Sequence, residues 1–246
     1  MQYGGFAQVY DRLMLSDFDY EDWAQYIHGI LTHHANGVQT VLDCACGTGL
    51  LTIRLAKMGY RLTGLDISEE MLEQAAQNSR DAGVIIPFVR MDMCQIAVHR
   101  PVDAILSTCD GVNYLLSTKK LRGFFSSAYK SIVPGGILCF DVSTRYKLEH
   151  ILGNNTFTED NSDAAYIWKN TYDQNQKLSE MELTLFIRQG EYYKRVYEQH
   201  IQRGHSKEEI ENALKSTGFT QIYAYEAFSM DEPRKESERI QFVAVR

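Results

Sequence analysis

Aspartates stand at the ends of three apolar, strand-like runs in this sequence: Asp43, Asp66 and Asp92. Carboxylates at strand ends can accept hydrogen bonds from the ribose hydroxyls of a bound nucleotide. After the first of these acids, small residues leave space for a ligand beside the backbone, at Ala45, Gly47 and Gly49. The residue types and their spacing therefore predict a site for a nucleotide-like ligand.

The elements around these residues follow from hydrophobic spacing. Residues 40–42 are β-branched or apolar and predict a buried strand, whereas residues 50–57 have helical spacing. The N–H groups at the beginning of that helix would point toward the small-residue turn. Further strands are predicted over residues 61–66 and 85–91, so that each aspartate lies where a strand ends or has just ended.

A dinucleotide fingerprint, G-x-G-x-x-G, is the alternative interpretation of this turn. Counted from Gly47, the third glycine of the fingerprint falls on Thr52. The fingerprint is therefore broken. An NAD-dependent oxidoreductase on a Rossmann-like sheet remains an alternative rather than the leading hypothesis.

Together these segments resemble the class I, Rossmann-like S-adenosylmethionine-dependent methyltransferases, in particular small-molecule enzymes with an inserted β-sheet. Residues 102–108 and 134–141 are similar to the fourth and fifth strands of that family, so the resemblance covers most of the chain. It implies an α/β fold with a seven-stranded, mostly parallel sheet, an antiparallel C-terminal strand and flanking helices. It also implies S-adenosylmethionine as cofactor and S-adenosylhomocysteine as product.

The resemblance implies a role for each motif. The loop that begins at Asp43 would cradle the methionine part of the cofactor, Asp66 would hold the ribose, and Asp92 would bond to the adenine amino group. The family's first loop glycine is replaced by Ala45 here. We expect the cofactor-binding set to be Tyr10, Asp43, Ala45, Gly47, Gly49, Asp66, Ile67, Met71, Asp92, Met93 and Thr108.

The segment after the fourth strand is where we expect the methyl acceptor, because ligands of open α/β sheets bind beyond the carboxyl ends of the strands. The substrate-pocket candidates are Tyr3, Asp110, Asn113, Tyr114 and Trp168. Asp110 or Asn113 could instead cap a helix. Tyr3 and Tyr10 match either an N-terminal lid or a helix whose tyrosines pack on the core. His200 and Tyr10 are possible bases, but the sequence identifies no catalytic residue.

Residues 154–203 lack helical periodicity and predict an inserted antiparallel sheet. Alternation groups residues on single strand faces: Tyr166, Trp168 and Tyr172; Met181, Leu183, Leu185 and Ile187; Tyr193, Arg195, Tyr197 and Ile201. These aromatic residues predict an apolar or cationic acceptor, unless they pack the insertion onto the body or a second subunit. We divide the chain into a cofactor domain, residues 1–144 with 204–246, and a substrate-covering subdomain, residues 145–203.

Composition narrows the functional class. A net charge of −7 with no basic stripe makes a nucleic-acid partner unlikely. No run is long and apolar enough for a membrane span, and no signal-peptide pattern occurs, so cytoplasmic residence is expected. The five cysteines are an odd number, and Cys44-x-Cys46 has no second pair at ligand spacing, so neither a disulfide framework nor a metal site is expected.

The leading hypothesis is an enzyme of the EC 2.1.1 class that transfers a methyl group to a small molecule by in-line displacement. Because the sulfonium methyl is already activated, the protein mainly needs to position the nucleophile and exclude water. A non-catalytic S-adenosylmethionine-binding module is the further alternative. The chain is expected to act as a monomer or a homodimer, and the acceptor atom stays open between nitrogen, oxygen and carbon.

Overall fold

The computed structural model describes residues 19–160 and 164–246. Its helices are α1 (Tyr20–His34), α2 (Leu50–Lys57), α3 (Glu69–Asp81), α4 (Thr118–Ser131) and α5 (Lys207–Thr217). Its strands are β1 (Thr40–Cys44), β2 (Arg61–Asp66), β3 (Phe88–Arg90), β4 (Val102–Ser107), β5 (Ile132–Ser143), β6 (Thr156–Asp160), β7 (Ala164–Asp173), β8 (Leu178–Gln189), β9 (Tyr192–Arg203), β10 (Gln221–Glu226) and β11 (Arg239–Val245). Among these helices, none is both long and apolar enough to cross a membrane.

The larger sheet has seven strands in the order β10-β11-β5-β4-β1-β2-β3. The first five strands of the chain pair in parallel, and β11 lies antiparallel between β5 and β10. This arrangement confirms the predicted seven-stranded fold with an antiparallel C-terminal strand. Because β1, β2 and β4 run in the same direction, their carboxyl ends lie along one edge of the sheet, where ligands of such folds bind.

Helices cover both faces of this sheet. On one face, Phe124 and Phe125 of α4 pack with Leu214 of α5 in a fully buried cluster. On the other face, Trp23 of α1 and Leu55 of α2 pack on the sheet. Since both faces are covered, the central strands are apolar on both sides, which explains their continuous hydrophobic runs.

The smaller sheet has four antiparallel strands in the order β6-β7-β8-β9. It confirms the predicted inserted sheet, and the turns at residues 174–177 and 190–191 join its three long strands. The short β6 adds a fourth strand on the β7 edge. The division of the chain into two units at residues 144 and 204 stays a prediction.

The faces of β9 differ from the expected aromatic wall. Tyr193 and Tyr197 are 54% and 47% exposed, so the aromatic face is turned outward. The opposite face carries Glu198, His200 and Gln202, which are buried. Alternation correctly groups residues by face, but it does not say which face is covered when both carry polar and apolar residues.

The buried face of the smaller sheet contacts the larger domain at α3. Met71, in the first turn of α3, packs with Leu185 of β8 and Val196 of β9. Register places these two sheet residues opposite each other, so they form one apolar contact surface for the methionine. The inserted sheet is thus fixed over the beginning of the helix that follows β2.

Gly64 of β2 lies where a side chain has no space. A Cβ atom at Gly64 would lie 2.6 Å from Cδ1 of Phe88 and 2.9 Å from Sγ of Cys46. We therefore expect Gly64→Ala to lower the free energy of unfolding by about 1–3 kcal/mol through overpacking. Urea unfolding would measure this change.

The matched control is Gly29→Ala in the interior of α1, where nothing lies within 4 Å of the added Cβ. There alanine should raise the free energy of unfolding by about 0.5–1 kcal/mol, because it lowers the entropy of the unfolded chain and favours the helix. Equal urea midpoints for the two variants would contradict the packing argument.

Candidate functional site

A cavity of about 220 Å³ opens at the carboxyl ends of β1, β2 and β4. It is lined by residues of the turn after β1, of the segments that follow β2 and β3, and of the loop after β4. The predicted cofactor-binding residues in this lining are Asp43, Ala45, Gly47, Asp66, Ile67, Met71, Asp92, Met93 and Thr108. Parallel pairing has therefore brought together residues that are far apart in the chain.

The turn after β1 depends on a backbone conformation that residues other than glycine seldom adopt. Ala45, Gly47 and Gly49 have φ values of 56°, 54° and 75°, in the left-handed region. Gly49 does not line the cavity. Instead it caps the beginning of α2, and a Cβ there would lie 3.2 Å from both Ala75 and Phe88. Glycine at this position is thus required for packing behind the turn rather than for ligand contact.

Asp66 fixes the turn to the end of β2. One carboxylate oxygen accepts a hydrogen bond from the N–H of Gly47 at 2.9 Å, and the other accepts one from the N–H of Ser68, also at 2.9 Å. Burial raises the pKa of Asp66, although these backbone donors oppose the shift. The carboxylate therefore holds the turn and the α3 entrance in one arrangement.

Asp43 lies deeper in the same site. Its Oδ2 accepts a hydrogen bond of 2.5 Å from the hydroxyl of Thr52, the residue at the missing fingerprint glycine. Its Oδ1 is buried and has no hydrogen-bond partner within the described part of the chain. Burial raises the pKa of Asp43 to about 7. A cationic group in the cavity would supply the missing partner and favour the ionised carboxylate.

The opposite end of the cavity is more open. Asp92 is exposed, and its Oδ1 accepts a hydrogen bond from the N–H of Cys94 at 2.8 Å. Ile67 is 60% exposed, whereas Met93 is buried beside it in the lining. This end of the cavity has an apolar surface that suits a purine ring and a carboxylate at its edge that suits an exocyclic amino group.

The substrate-pocket candidates separate into two groups. Tyr114 lines the cavity, but Asp110, Asn113 and Trp168 do not. Asn113 bonds to the backbone of Ser143 and Arg203, and Trp168 packs against Phe157 with the rings tilted at a centroid distance of 5.4 Å. These side chains therefore hold the structure around the pocket. Tyr3 and Tyr10 lie outside the described residues.

Asp110 belongs to a buried ion cluster. Arg239, at the beginning of β11, donates to Asp110 at 2.6 Å and 3.2 Å and also pairs with Asp141 of β5. Burial raises the pKa of Asp141 to about 6. Burial also opposes ionisation of Asp110, but the charges of Arg239 and Lys147 outweigh it and keep the pKa of Asp110 below its usual value.

The ion cluster holds the loop that borders the cavity after β4. Cys109 and Asp110 have φ values of 56° and 65°, so two consecutive residues other than glycine lie in the left-handed region. Such backbone persists only where surrounding contacts determine it. The sequence analysis did not predict that Asp141 and Arg239 belong to the site. The charge of each residue beside an apolar strand segment was the signal that could have identified them.

Other residues found only in the structure are Tyr20 and Lys120, which line the cavity. Nothing in their sequence context separates them from ordinary helix residues. No three His, Cys, Asp or Glu side chains converge as metal ligands within residues 19–160 and 164–246. All five cysteines, including Cys44 and Cys46, are free thiols.

Removal of the central cation should destabilise the fold. In Arg239→Met, Asp110 and Asp141 would face each other without their shared cation, so the free energy of unfolding should fall by about 3–5 kcal/mol near pH 8. Without the arginine, the pKa values of both folded-state carboxyls rise. Stability is then retained at low pH and lost as pH rises through those values, so the deficit should shrink near pH 5.

Urea titrations at both pH values measure this effect. The control is Arg90→Met, because Arg90 pairs with Glu69 at the surface, where the two side chains are 64% and 67% exposed. Loss of such a pair should change the free energy of unfolding by less than about 1 kcal/mol. A deficit in Arg239→Met that is the same at both pH values would contradict the electrostatic explanation.

Known proteins that are similar to this chain are methyltransferases. A family model described as a methyltransferase domain matches residues 41–136. The Bacillus subtilis (strain 168) protein named "Putative methyltransferase YqeM" is 36% identical over 99% of this chain and 97% of its own length. These matches favour methyl transfer over the dinucleotide-dependent and non-catalytic alternatives.

Solved structures of methyltransferases share this fold. The crystal structure of an S-adenosylmethionine-dependent methyltransferase from Clostridium acetobutylicum ATCC 824 has a TM-score of 0.90 and 31% identity, covering 99% of this chain and 98% of that one. S-adenosylmethionine-bound CalS10, an amino pentose methyltransferase from Micromonospora echinaspora, shares the fold with a TM-score of 0.78 and 19% identity, covering 97% and 96%. The chain belongs to the class I S-adenosylmethionine-dependent methyltransferases.

Proposed function

We propose that this methyltransferase acts on a small-molecule acceptor that binds in the cavity beside Tyr114, on the side of the site held by the four-stranded sheet. The observation that carries the proposal is that this sheet packs against two residues of the cavity lining. Tyr114 lines the cavity, and its ring contacts His200 of β9 at a centroid distance of 6.1 Å. Met71, also in the lining, packs against the same sheet. A sheet that packs so close to the lining supports a small molecule rather than a polymer as the acceptor.

The residues present fit the cofactor. Asp43 offers a buried carboxylate oxygen, without a hydrogen-bond partner in the described part of the chain, to the cationic methionine part. Asp66 would accept from the ribose hydroxyls and Asp92 from the adenine amino group. S-adenosylmethionine supplies a methyl group already activated by its sulfonium. The contribution of this chain is then to orient the acceptor in line with that methyl group and to exclude water.

The proposal also covers the kind of acceptor, the location of the enzyme and its oligomeric state. A net charge of −7 disfavours nucleic-acid acceptors, because their binding relies on clustered lysine and arginine. The amino pentose methyltransferase CalS10 shows that this fold can serve a small-molecule acceptor. The proposed enzyme of the EC 2.1.1 class would therefore act in the cytoplasm, as a monomer or a homodimer, on a metabolite.

A labelling experiment tests the acceptor class. The purified protein is incubated with S-adenosylmethionine that carries a radiolabelled methyl group and with a bacterial extract divided into small-molecule, RNA and protein fractions. We expect label in the small-molecule fraction, together with an equal amount of S-adenosylhomocysteine. Label confined to RNA or protein, or no transfer to any fraction, would overturn the proposal.

The role proposed for Asp66 has its own test. In Asp66→Ala, the turn loses its bond to Gly47 and the ribose hydroxyls lose a charged acceptor, so affinity for S-adenosylmethionine should fall by about 1–3 kcal/mol. Calorimetric titration measures the change.

Asp103→Ala provides the matched control for this titration. Asp103 also accepts hydrogen bonds from two backbone N–H groups, those of Gln39 at 3.0 Å and Thr40 at 2.8 Å, but it lies at the opposite end of the central strands. Its removal should leave the affinity unchanged. If both variants bind as tightly as the wild type, Asp66 has no part in the cofactor site.

A further inference from the structure

Tyr114 is held rigidly at the acceptor end of the cavity. It ends the short 3₁₀ helix Gly111–Tyr114 that follows β4. The preceding residue, Asn113, is fully buried and donates to the carbonyls of Ser143 at 2.9 Å and Arg203 at 3.0 Å, while it accepts from the Ser143 N–H at 2.9 Å. The backbone that carries the phenol is therefore fixed to β5 and to the end of β9.

His200 meets Tyr114 from the four-stranded sheet. Its Nδ1 lies 3.4 Å from the phenol oxygen of Tyr114, and the two rings are edge to face. His200 is buried on the same face of β9 as Glu198 and Gln202. Burial lowers the pKa of His200 to about 4, so the imidazole is neutral near pH 7 and Nδ1 can accept the Tyr114 hydroxyl proton in a hydrogen bond.

We propose that Tyr114 contacts the acceptor atom, that His200 is a positioning residue for the Tyr114 hydroxyl, and that the acceptor atom is an amine nitrogen that carries hydrogen. This inference rests on the proposed small-molecule function and specifies its acceptor. With its proton donated to His200, the phenol oxygen presents lone pairs that accept the acceptor's N–H. That contact orients the nitrogen lone pair toward the methyl group.

The chemistry of this pair suits an amine. The nitrogen lone pair forms the new N–C bond, the C–S bond breaks, and its electron pair stays on sulfur to give S-adenosylhomocysteine. The positive charge moves from sulfonium to the methylated ammonium, which gives its proton to water after release. An amine that binds in its neutral form has this lone pair available, so the protein needs no base for the transfer. A hydroxyl acceptor would need to lose its proton during transfer, and a weakly basic imidazole serves that step poorly.

The first arm of the test identifies the acceptor atom. The protein is incubated with S-adenosylmethionine labelled with carbon-13 in its methyl group and with the small-molecule fraction of a bacterial extract, and the product is examined by NMR. The carbon-13 chemical shift distinguishes N-methyl, O-methyl and C-methyl groups. An N-methyl product is expected. An O-methyl or C-methyl product overturns this inference but leaves the proposed function intact, whereas the absence of any labelled product overturns both.

The second arm tests the pair. With the identified amine, Tyr114→Phe and His200→Phe should each lower kcat on the order of 10- to 100-fold. His200→Gln should keep more activity than His200→Phe, because its amide oxygen can accept from the phenol. The affinity for S-adenosylmethionine, measured by calorimetry, should stay unchanged in all three variants. Full kcat in His200→Phe would overturn the positioning role.

A third measurement does not depend on turnover. Nitrogen-15 NMR of histidine-labelled protein with S-adenosylhomocysteine reports the tautomer of His200 and the hydrogen bond at Nδ1. The wild type should show an Nε2-protonated ring with a hydrogen-bonded Nδ1, and Tyr114→Phe should shift the Nδ1 resonance. An unchanged resonance in Tyr114→Phe would show that no such pair forms, even if a histidine variant failed to fold.

Discussion

The site depends on one constraint, which is that a single buried carboxylate bonds to two segments at once. Asp66 accepts from the N–H of Gly47 in the turn after β1 and from that of Ser68 at the beginning of α3. Parallel pairing of β1 with β2 brings these segments to the same edge of the sheet. The turn can then keep its left-handed backbone, because the cost of that conformation is met by bonds to a rigid strand end.

The four-stranded sheet holds the side of the site at which we propose that the acceptor binds. It touches the larger domain through apolar contact at Met71 and through polar contacts at Asn113 and Tyr114. Apolar burial is not directional, so the contact at Met71 holds the sheet in place without fixing its orientation. The hydrogen bonds of Asn113 are directional, and they fix the position of the end of β9 relative to β5. The lining residue Tyr114 is consequently held in place by a sheet that comes from a distant part of the sequence.

Sequence alone predicted much of this fold because the signals were local. Strand-like runs that end in Asp43 and Asp66, a small-residue turn and helical spacing after it are all visible within about 30 residues. The positions that sequence did not predict depend on tertiary contacts. The side of β9 that is buried, and the pairing of Asp110 with Arg239, are decided by which elements pack together and not by any neighbouring residue.

The position of Arg239 in the chain, after all the strands of the four-stranded sheet, has a consequence for biosynthesis. The loop after β4 carries two left-handed residues, Cys109 and Asp110, and its carboxylate neighbour Asp141 comes from β5. Their shared cation is at the beginning of β11, which is made after the whole four-stranded sheet and must insert between β5 and β10. Until β11 has been made and paired, Asp110 and Asp141 lack their shared cation, so the loop beside the cavity becomes fixed later in synthesis than the turn after β1.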